Sequence, residues 1–239
     1  SSYSSNSAAE SFITAVPHMA AVNHTLYNED GCGSENDNGN GNGNGGIIGN
    51  GNENVNENTS ADTIAEVNSL AEAIRVLQHG NTPIHTLIVA RWTNIADNGC
   101  KLLSNAMMSQ WTKSDKKLHT LSLRHNRITH VGLQSLLISG RCQHLTELDI
   151  RNNKIKDEGL ECLSKWMSNP SSSRLTILDL QDNFITNIGV ESMLKYQSLS
   201  SLRSLNFRKN KIGTSGVIAL SQCNCTMLER LSLWNCYCG

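Results

Sequence analysis

The sequence predicts an α/β solenoid of stacked strand–helix units, preceded by a disordered tail. Three observations lead there. A pattern of six fixed positions recurs four times at intervals of 27 to 30 residues. Within each copy the apolar spacing changes from two-residue alternation to helical spacing, as a strand followed by a helix requires. The first part of the chain, by contrast, has a composition that cannot fill a core.

That first part comes first in order. Residues 1–58 carry seven acidic side chains and no Lys or Arg, leaving 14 acids against 20 bases in residues 59–239. The tail is therefore −7 and the remainder +6. From Asn38-Gly39 to Gly45-Gly46 the chain is almost wholly Asn and Gly. Gly loses the most backbone freedom on ordering, and Asn and Glu bring little apolar area to offset it. Residues 1–61 are expected to form a disordered Asn/Gly-rich acidic tail. A G-x-G-x-x-G match at Gly41, Gly43 and Gly46 has neither a strand before it nor a helix after it, so no cofactor loop is read there.

Order is expected near Thr63. Thr63-Ile64-Ala65-Glu66 has capping-box spacing. Ile64, Val67, Leu70, Ile74 and Leu77 follow at helical intervals until His79-Gly80.

The repeat fills the rest. Leu118, Leu121, Leu123, Asn126, Ile128 and Gly132 form one copy. Leu145, Leu148, Ile150, Asn153, Ile155 and Gly159 match it position for position. So do Leu175, Leu178, Leu180, Asn183, Ile185 and Gly189, then Leu202, Leu205, Phe207, Asn210, Ile212 and Gly216. A looser earlier copy runs through Ile84, Leu87, Val89, Asn94, Ile95 and Gly99, and a last one starts with Leu228, Leu231 and Leu233. Each Gly suits a turn with positive φ or a close approach. Behind it come Leu133, Leu136 and Leu137, or Leu160 and Leu163, or Val190, Met193 and Leu194, or Val217 and Leu220. These should face back onto the strand leucines, and units so small must stack to share a core. The runs at 112–117 and 169–173 fit loops.

This pattern resembles the ribonuclease-inhibitor-like type of leucine-rich repeat protein, over about residues 62–239. The resemblance implies a right-handed horseshoe with short parallel strands on the concave face and helices on the convex face. It also implies that the recurring Asn bonds to backbone groups of the turn. Five to six repeats are expected in 62–239. Cys236 takes the Asn position of the last copy and no capping unit follows, so further repeats are expected beyond Gly239.

Function is read from the residues between the strand leucines. One column is Ser122, Asp149, Asp179, Asn206 and Ser232. The next is Arg124, Arg151, Gln181, Arg208 and Trp234, and past the Asn come Arg127, Lys154, Phe184 and Lys211. Strands about 4.8 Å apart would set Arg124 beside Arg151 and Asp149 beside Asp179. Like charges so placed are mildly unfavourable unless a partner, or Asp149 pairing with an arginine, relieves them. The bland alternative is a solvated face whose charges are screened within about 8–10 Å. The candidate partner-binding residues are Arg124, Asp149, Arg151, Asp179, Gln181, Arg208 and Trp234, the last as aromatic anchor. The partner expected is a protein, held on a scaffold that could serve as a regulatory module of a larger chain. Nucleic-acid binding through Arg124, Arg127, Arg151, Lys154, Arg208 and Lys211 is the alternative. Few stacking aromatics and an acidic tail count against it.

Other chemistry finds little support. Cys223-x-Cys225 and Cys236-x-Cys238 have the look of zinc pairs, but Cys236 and Cys238 already serve as repeat positions and the pairs should sit apart. His79, His85, His119, His125, His130 and His144 form no catalytic spacing. No metal, cofactor, enzymatic activity or membrane span is expected. Eight cysteines are too few for a disulfide scaffold, and three Asn-x-Ser/Thr sequons in so Asn-rich a chain carry no weight. A cytoplasmic home follows.

Overall fold

The computed structural model describes residues 64–79, 84–91, 93–110, 117–169, 174–197, 199–223 and 225–236. Outside them lie the expected tail, the Gly41/Gly43/Gly46 motif, Thr63, the sequons at Asn23, Asn58 and Asn224, most of the two loop insertions, and Cys238.

Among the described residues seven strands alternate with six helices. The strands are β1 (Ile64–Val67), β2 (Thr86–Val89), β3 (Thr120–Ser122), β4 (Glu147–Asp149), β5 (Ile177–Asp179), β6 (Ser204–Asn206) and β7 (Arg230–Ser232). The helices are α1 (Leu70–His79), α2 (Ala96–Gln110), α3 (His130–Ile138), α4 (Lys156–Met167), α5 (Asn187–Lys195) and α6 (Gly213–Ser221). All strands join one parallel sheet in chain order. A parallel neighbour can be reached only by a crossover, and each helix supplies one.

The register is set by the leucines. Leu87, Leu121, Leu148, Leu178, Leu205 and Leu231 are successive partners across the sheet. The first five are at most 2% exposed. Beside them run further buried rows: Ile84 to Leu202, Val89 to Phe207, and Ile95, Ile128, Ile155, Ile185 and Ile212. Leu133, Leu136, Leu137, Leu160, Leu163, Val190, Met193 and Leu220 close the core from the helices, while Leu194 and Val217 pack against it half-buried. No single unit could bury these rows alone; stacking does it.

The start of the repeats differs from expectation. Ile64–Val67 is a strand, not the first turn of a helix. Its register runs from Ile64 opposite Thr86 to Val67 opposite Val89. Pairing with β2 satisfies the backbone of a β-branched segment that helical spacing alone assigned to a helix. The capping box lies instead at Ser69-Leu70-Ala71-Glu72. The Glu72 N–H donates to Ser69 Oγ at 3.1 Å, and the Asn68 N–H donates to Glu72 Oε2 at 2.9 Å. Residues 64–79 therefore make one more strand–helix unit than the repeat pattern disclosed. Asn94 also departs from its assignment: it is exposed, with φ of 50°, and takes no part in the buried Asn row.

Units come in two alternating forms. In the units of α3 and α5 the helix opens on Thr129 or Thr186 in extended backbone, whose hydroxyl accepts from the N–H of Val131 or Ile188. In the units of α2, α4 and α6 the corresponding residue is left-handed: Ala96 (φ 47°), Lys156 (57°) and Gly213 (65°). Just after the first two stand Asp97 and Asp157, which cap the next unit. Asp97 accepts from the Thr129 N–H at 2.8 Å, the Thr129 hydroxyl at 2.7 Å and the Gly132 N–H at 3.0 Å. Asp157 accepts from the Thr186 N–H and hydroxyl, both at 2.7 Å. The glycines inside these helices answer to close packing rather than to positive φ. A Cβ on Gly132 or Gly189 would stand 2.5 Å from Oδ1 of Asp97 or Asp157.

Candidate functional site

The repeating Asn positions the loops that follow each strand. Asn153 is 3% exposed. Its Oδ1 accepts from the N–H of Asn126 (3.1 Å) and Ile128 (2.9 Å), and its Nδ2 donates to the carbonyls of Leu123, Ile150 and Arg151 at 2.9–3.2 Å. Asn210 repeats this set with Asn183, Ile185, Leu180, Phe207 and Arg208. Cys236 occupies the position in the last unit and donates its thiol to the Phe207 carbonyl at 2.9 Å. Backbone groups that would be buried and unpaired are thus satisfied from within. The residue just before each Asn, and before Cys236, is left-handed: His125, Asn152, Asp182, Lys209 and Asn235, with φ of 54–59°.

Strand alternation turns the candidate residues to the sheet face away from the leucine core. Ser122, Asp149, Asp179, Asn206 and Ser232 are register partners along that face. The structure divides the seven candidates into two groups. In the first, Arg151 neutralises two carboxylates. Its Nη2 lies 3.0 Å from Asp149 Oδ2, and its Nε lies 3.8 Å from Asp179 Oδ2. The Ser122 hydroxyl donates to Asp149, the Asn206 amide to Asp179, and the Gln181 N–H to Asp179. Asp149 and Asp179 are therefore relieved by Arg151 within the face. The relief is incomplete. Burial, then the charge of Asp149, raises the Asp179 carboxyl above its ordinary value; burial, then Asp149 and Asp179, does the same to Glu147. Arg124 is half-buried, with an Nε that has no hydrogen-bond partner.

The second group is at the β6–β7 side. Trp234 is 62% exposed, and the exposed Arg208 guanidinium stands 4.8 Å from its ring centroid. That is a cation–π distance. Beside this pair, the loops after β5, β6 and β7 border an open hollow of about 310 Å³, lined by Asp182, Phe184, Lys209, Lys211 and Asn235. Phe184 and Lys211 belong to a column visible in the sequence. Asp182, Lys209 and Asn235 do not, although the polar, Asn/Asp-rich column before the repeating Asn was the signal that marks them.

The remaining candidates do not assemble. His85 and His119 stack at 5.0 Å between ring centroids. Cys223 and Cys225 are joined as a disulfide and so are not paired thiolates. Cys100 and Cys142 are buried thiols, each pushed up to about 12, chiefly by burial. Among the described residues no group of His, Cys, Asp and Glu could hold a metal ion, and no helix is long and apolar enough to cross a membrane.

Comparison with known proteins agrees with the repeat geometry. The family described as Leucine Rich repeat matches at residues 114–137, 141–164, 171–194 and 198–221. Residues 114–221 are leucine-rich repeats. Their assignment to the ribonuclease-inhibitor-like type is consistent with these matches. Two mouse proteins share the repeat region. NACHT, LRR and PYD domains-containing protein 4E is 30% identical over 146 residues, covering 61% of this chain and 14% of its own. NACHT, LRR and PYD domains-containing protein 4C is 29% identical over 157 residues, covering 64% of this chain and 15% of its own. The chain thus spans about one seventh of the length of these relatives. Among solved structures, the leiomodin-1 actin-binding site 2 aligns with a TM-score of 0.49 and 12% identity, over 65% of this chain and 87% of that one.

Proposed function

We propose that this leucine-rich repeat unit is a protein-interaction module whose sheet face, turned away from the helices, receives a protein partner. The observation that carries the reading is the exposure of Trp234 with Arg208 stacked on it, on a face the core does not need. Trp and Arg are the side chains most enriched among residues that dominate binding energy. Solenoid repeats are typical of interaction modules, which supports the same assignment. Arg124, Asp149, Arg151, Asp179, Gln181, Arg208 and Trp234 are the proposed contacts. The relatives' names describe multidomain proteins, and this supports a module within a larger chain. The thiols of Cys100, Cys142, Cys162 and Cys236 support a cytoplasmic setting.

The test is affinity capture with the wild-type chain beside a version carrying Glu at Arg124, Arg151 and Arg208, with circular dichroism to confirm that the variant folds. A protein retained by the first and lost by the second is the expected result. Equal retention by both would place the contact on another surface. Retention of nuclease-sensitive material alone would replace the protein partner by a nucleic acid.

A further inference from the structure

Charge is distributed unevenly over the face. At β4 and β5 the arginine is used up by Asp149 and Asp179. At β6 and β7 the balance is reversed. Arg208, Lys209 and Lys211 are exposed, and among the described residues none of them pairs with a carboxylate. Two of these lysines line the hollow, with one carboxylate, Asp182, and one aromatic ring, Phe184.

Phe184 is the decisive residue. It is 47% exposed, so the core does not require it. Its φ is 60°, in the left-handed region. A bulky side chain there is disfavoured by about 1–2 kcal/mol relative to what Gly or Asn tolerates. Arg127, at the equivalent position of the α3 unit, has φ of 57°, so the left-handed turn belongs to this form of the repeat. What singles out Phe184 is an exposed aromatic ring where the other units carry Arg127, Lys154 and Lys211.

We infer that the hollow formed by Asp182, Phe184, Lys209, Lys211 and Asn235 binds an extended acidic segment of a partner protein, in which a carboxylate is followed by an aromatic or aliphatic side chain. The inference rests on the docking face proposed above and names the chemistry it selects. The carboxylate meets the ammonium groups of Lys209 and Lys211, the apolar side chain covers Phe184, and Asp182 accepts from a backbone N–H of the segment. Trp234, with Arg208 on its ring, extends the apolar contact beyond the hollow. Three adjacent strands span about 10 Å, the reach of about three extended residues. Charge complementarity decides against a nucleic acid here. A phosphate chain leaving the lysines would run onto Asp182, then Asp179 and Asp149, while a peptide needs its charge only once.

The experiment uses the full chain and fluorescein-labelled, blocked decapeptides. One carries a single Glu followed by Leu and Phe in a Ser/Gly background, a second replaces Glu by Lys, a third replaces the apolar residues by Ala, and a short oligothymidylate is the fourth probe. Anisotropy should show binding of the first peptide only. Lys209→Glu with Lys211→Glu should weaken it about tenfold or more, as lost charge pairs in an interface do. Phe184→Asn should weaken it to a similar degree with a thermal midpoint equal to or above the wild type, so loss of fold cannot explain the loss of binding. Lys101→Gln, an exposed position on helix α2 outside the proposed contacts, should leave it within about twofold. Peptide binding that survives the lysine reversals but falls with Arg124→Gln would overturn the hollow and leave the wider docking face standing. Failure of every peptide, while a captured protein still depends on Arg124, Arg151 and Arg208, would do the same. Preference for the oligothymidylate would overturn both in favour of phosphate recognition.

Discussion

Replacing Asn153 by Ala should cost more stability than replacing Asn183, although both are buried and both occupy the same repeat position. The alternation of units supplies the reason. Asn153 makes five hydrogen bonds, two as acceptor at 2.9 and 3.1 Å and three as donor. Asn183 makes three, of which the single acceptor contact, from the Ile155 N–H, is 3.3 Å long. Where Asn183 serves, the left-handed turn at Lys156 sends that residue's N–H directly to the Asn183 carbonyl instead. Truncating Asn153 strands the buried N–H groups of Asn126 and Ile128, at about 1–3 kcal/mol each, for a total of about 2–6 kcal/mol. The excess over Asn183→Ala comes from two further bonds, about 2 kcal/mol at the usual net value. Urea unfolding followed by circular dichroism measures both. Equal losses, or a larger loss at Asn183, would refute the account of the alternation. Asn153→Cys is a graded control, because Cys236 already fills this position with one thiol bond.

Lys156→Gly should raise the urea midpoint. Relief of a left-handed lysine at φ 57° gains about 1–2 kcal/mol, and the added freedom of glycine in the unfolded chain returns about 0.5–1 of it; a lowered midpoint would count against the left-handed turn. Asp179→Asn should remove a pH dependence that the wild type shows. Because burial and Asp149 raise the native carboxyl, the folded chain holds a proton that the unfolded chain releases above its ordinary value of 3.8. Stability contributed by Asp179 therefore falls as pH climbs from there through the raised value, and is level beyond it. Urea midpoints measured across acid pH should flatten in the variant, and an unchanged slope would assign the effect to another group.

The period, the leucine rows and the buried Asn were legible because they are spaced along the sequence as the fold needs them. Three features were not. The strand at Ile64–Val67 carries apolar residues at spacings a helix shares, and only its pairing with β2 decides between the two. The two-unit alternation lies in single residues, Asp97 and Asp157 against His130 and Asn187, whose meaning appears when the carboxylate is seen bonding to the next unit's threonine. The hollow draws Asp182, Lys209 and Asn235 from three loops, and no column of the pattern ranked them above their polar counterparts. The candidate face itself was legible, because alternation fixes direction. The pairing within it was left open, since spacing cannot tell whether Asp149 meets Arg124 or Arg151; the structure gives it Arg151.

That pairing bears on where binding energy can come from. The repeat satisfies its backbone internally, through the Asn row and the aspartate caps, so the outer side chains have no ladder groups to serve. Among them, Arg151 has already given up water for two carboxylates, and a partner that drew it away would leave Asp149 and Asp179 facing each other. Arg208, Lys209 and Lys211 face no such loss, and Phe184 and Trp234 are only partly desolvated. For the partner proposed here, each contact should therefore gain most at the β5–β7 side. Charge already neutralised fixes the surface in place; charge left open is what a partner can use.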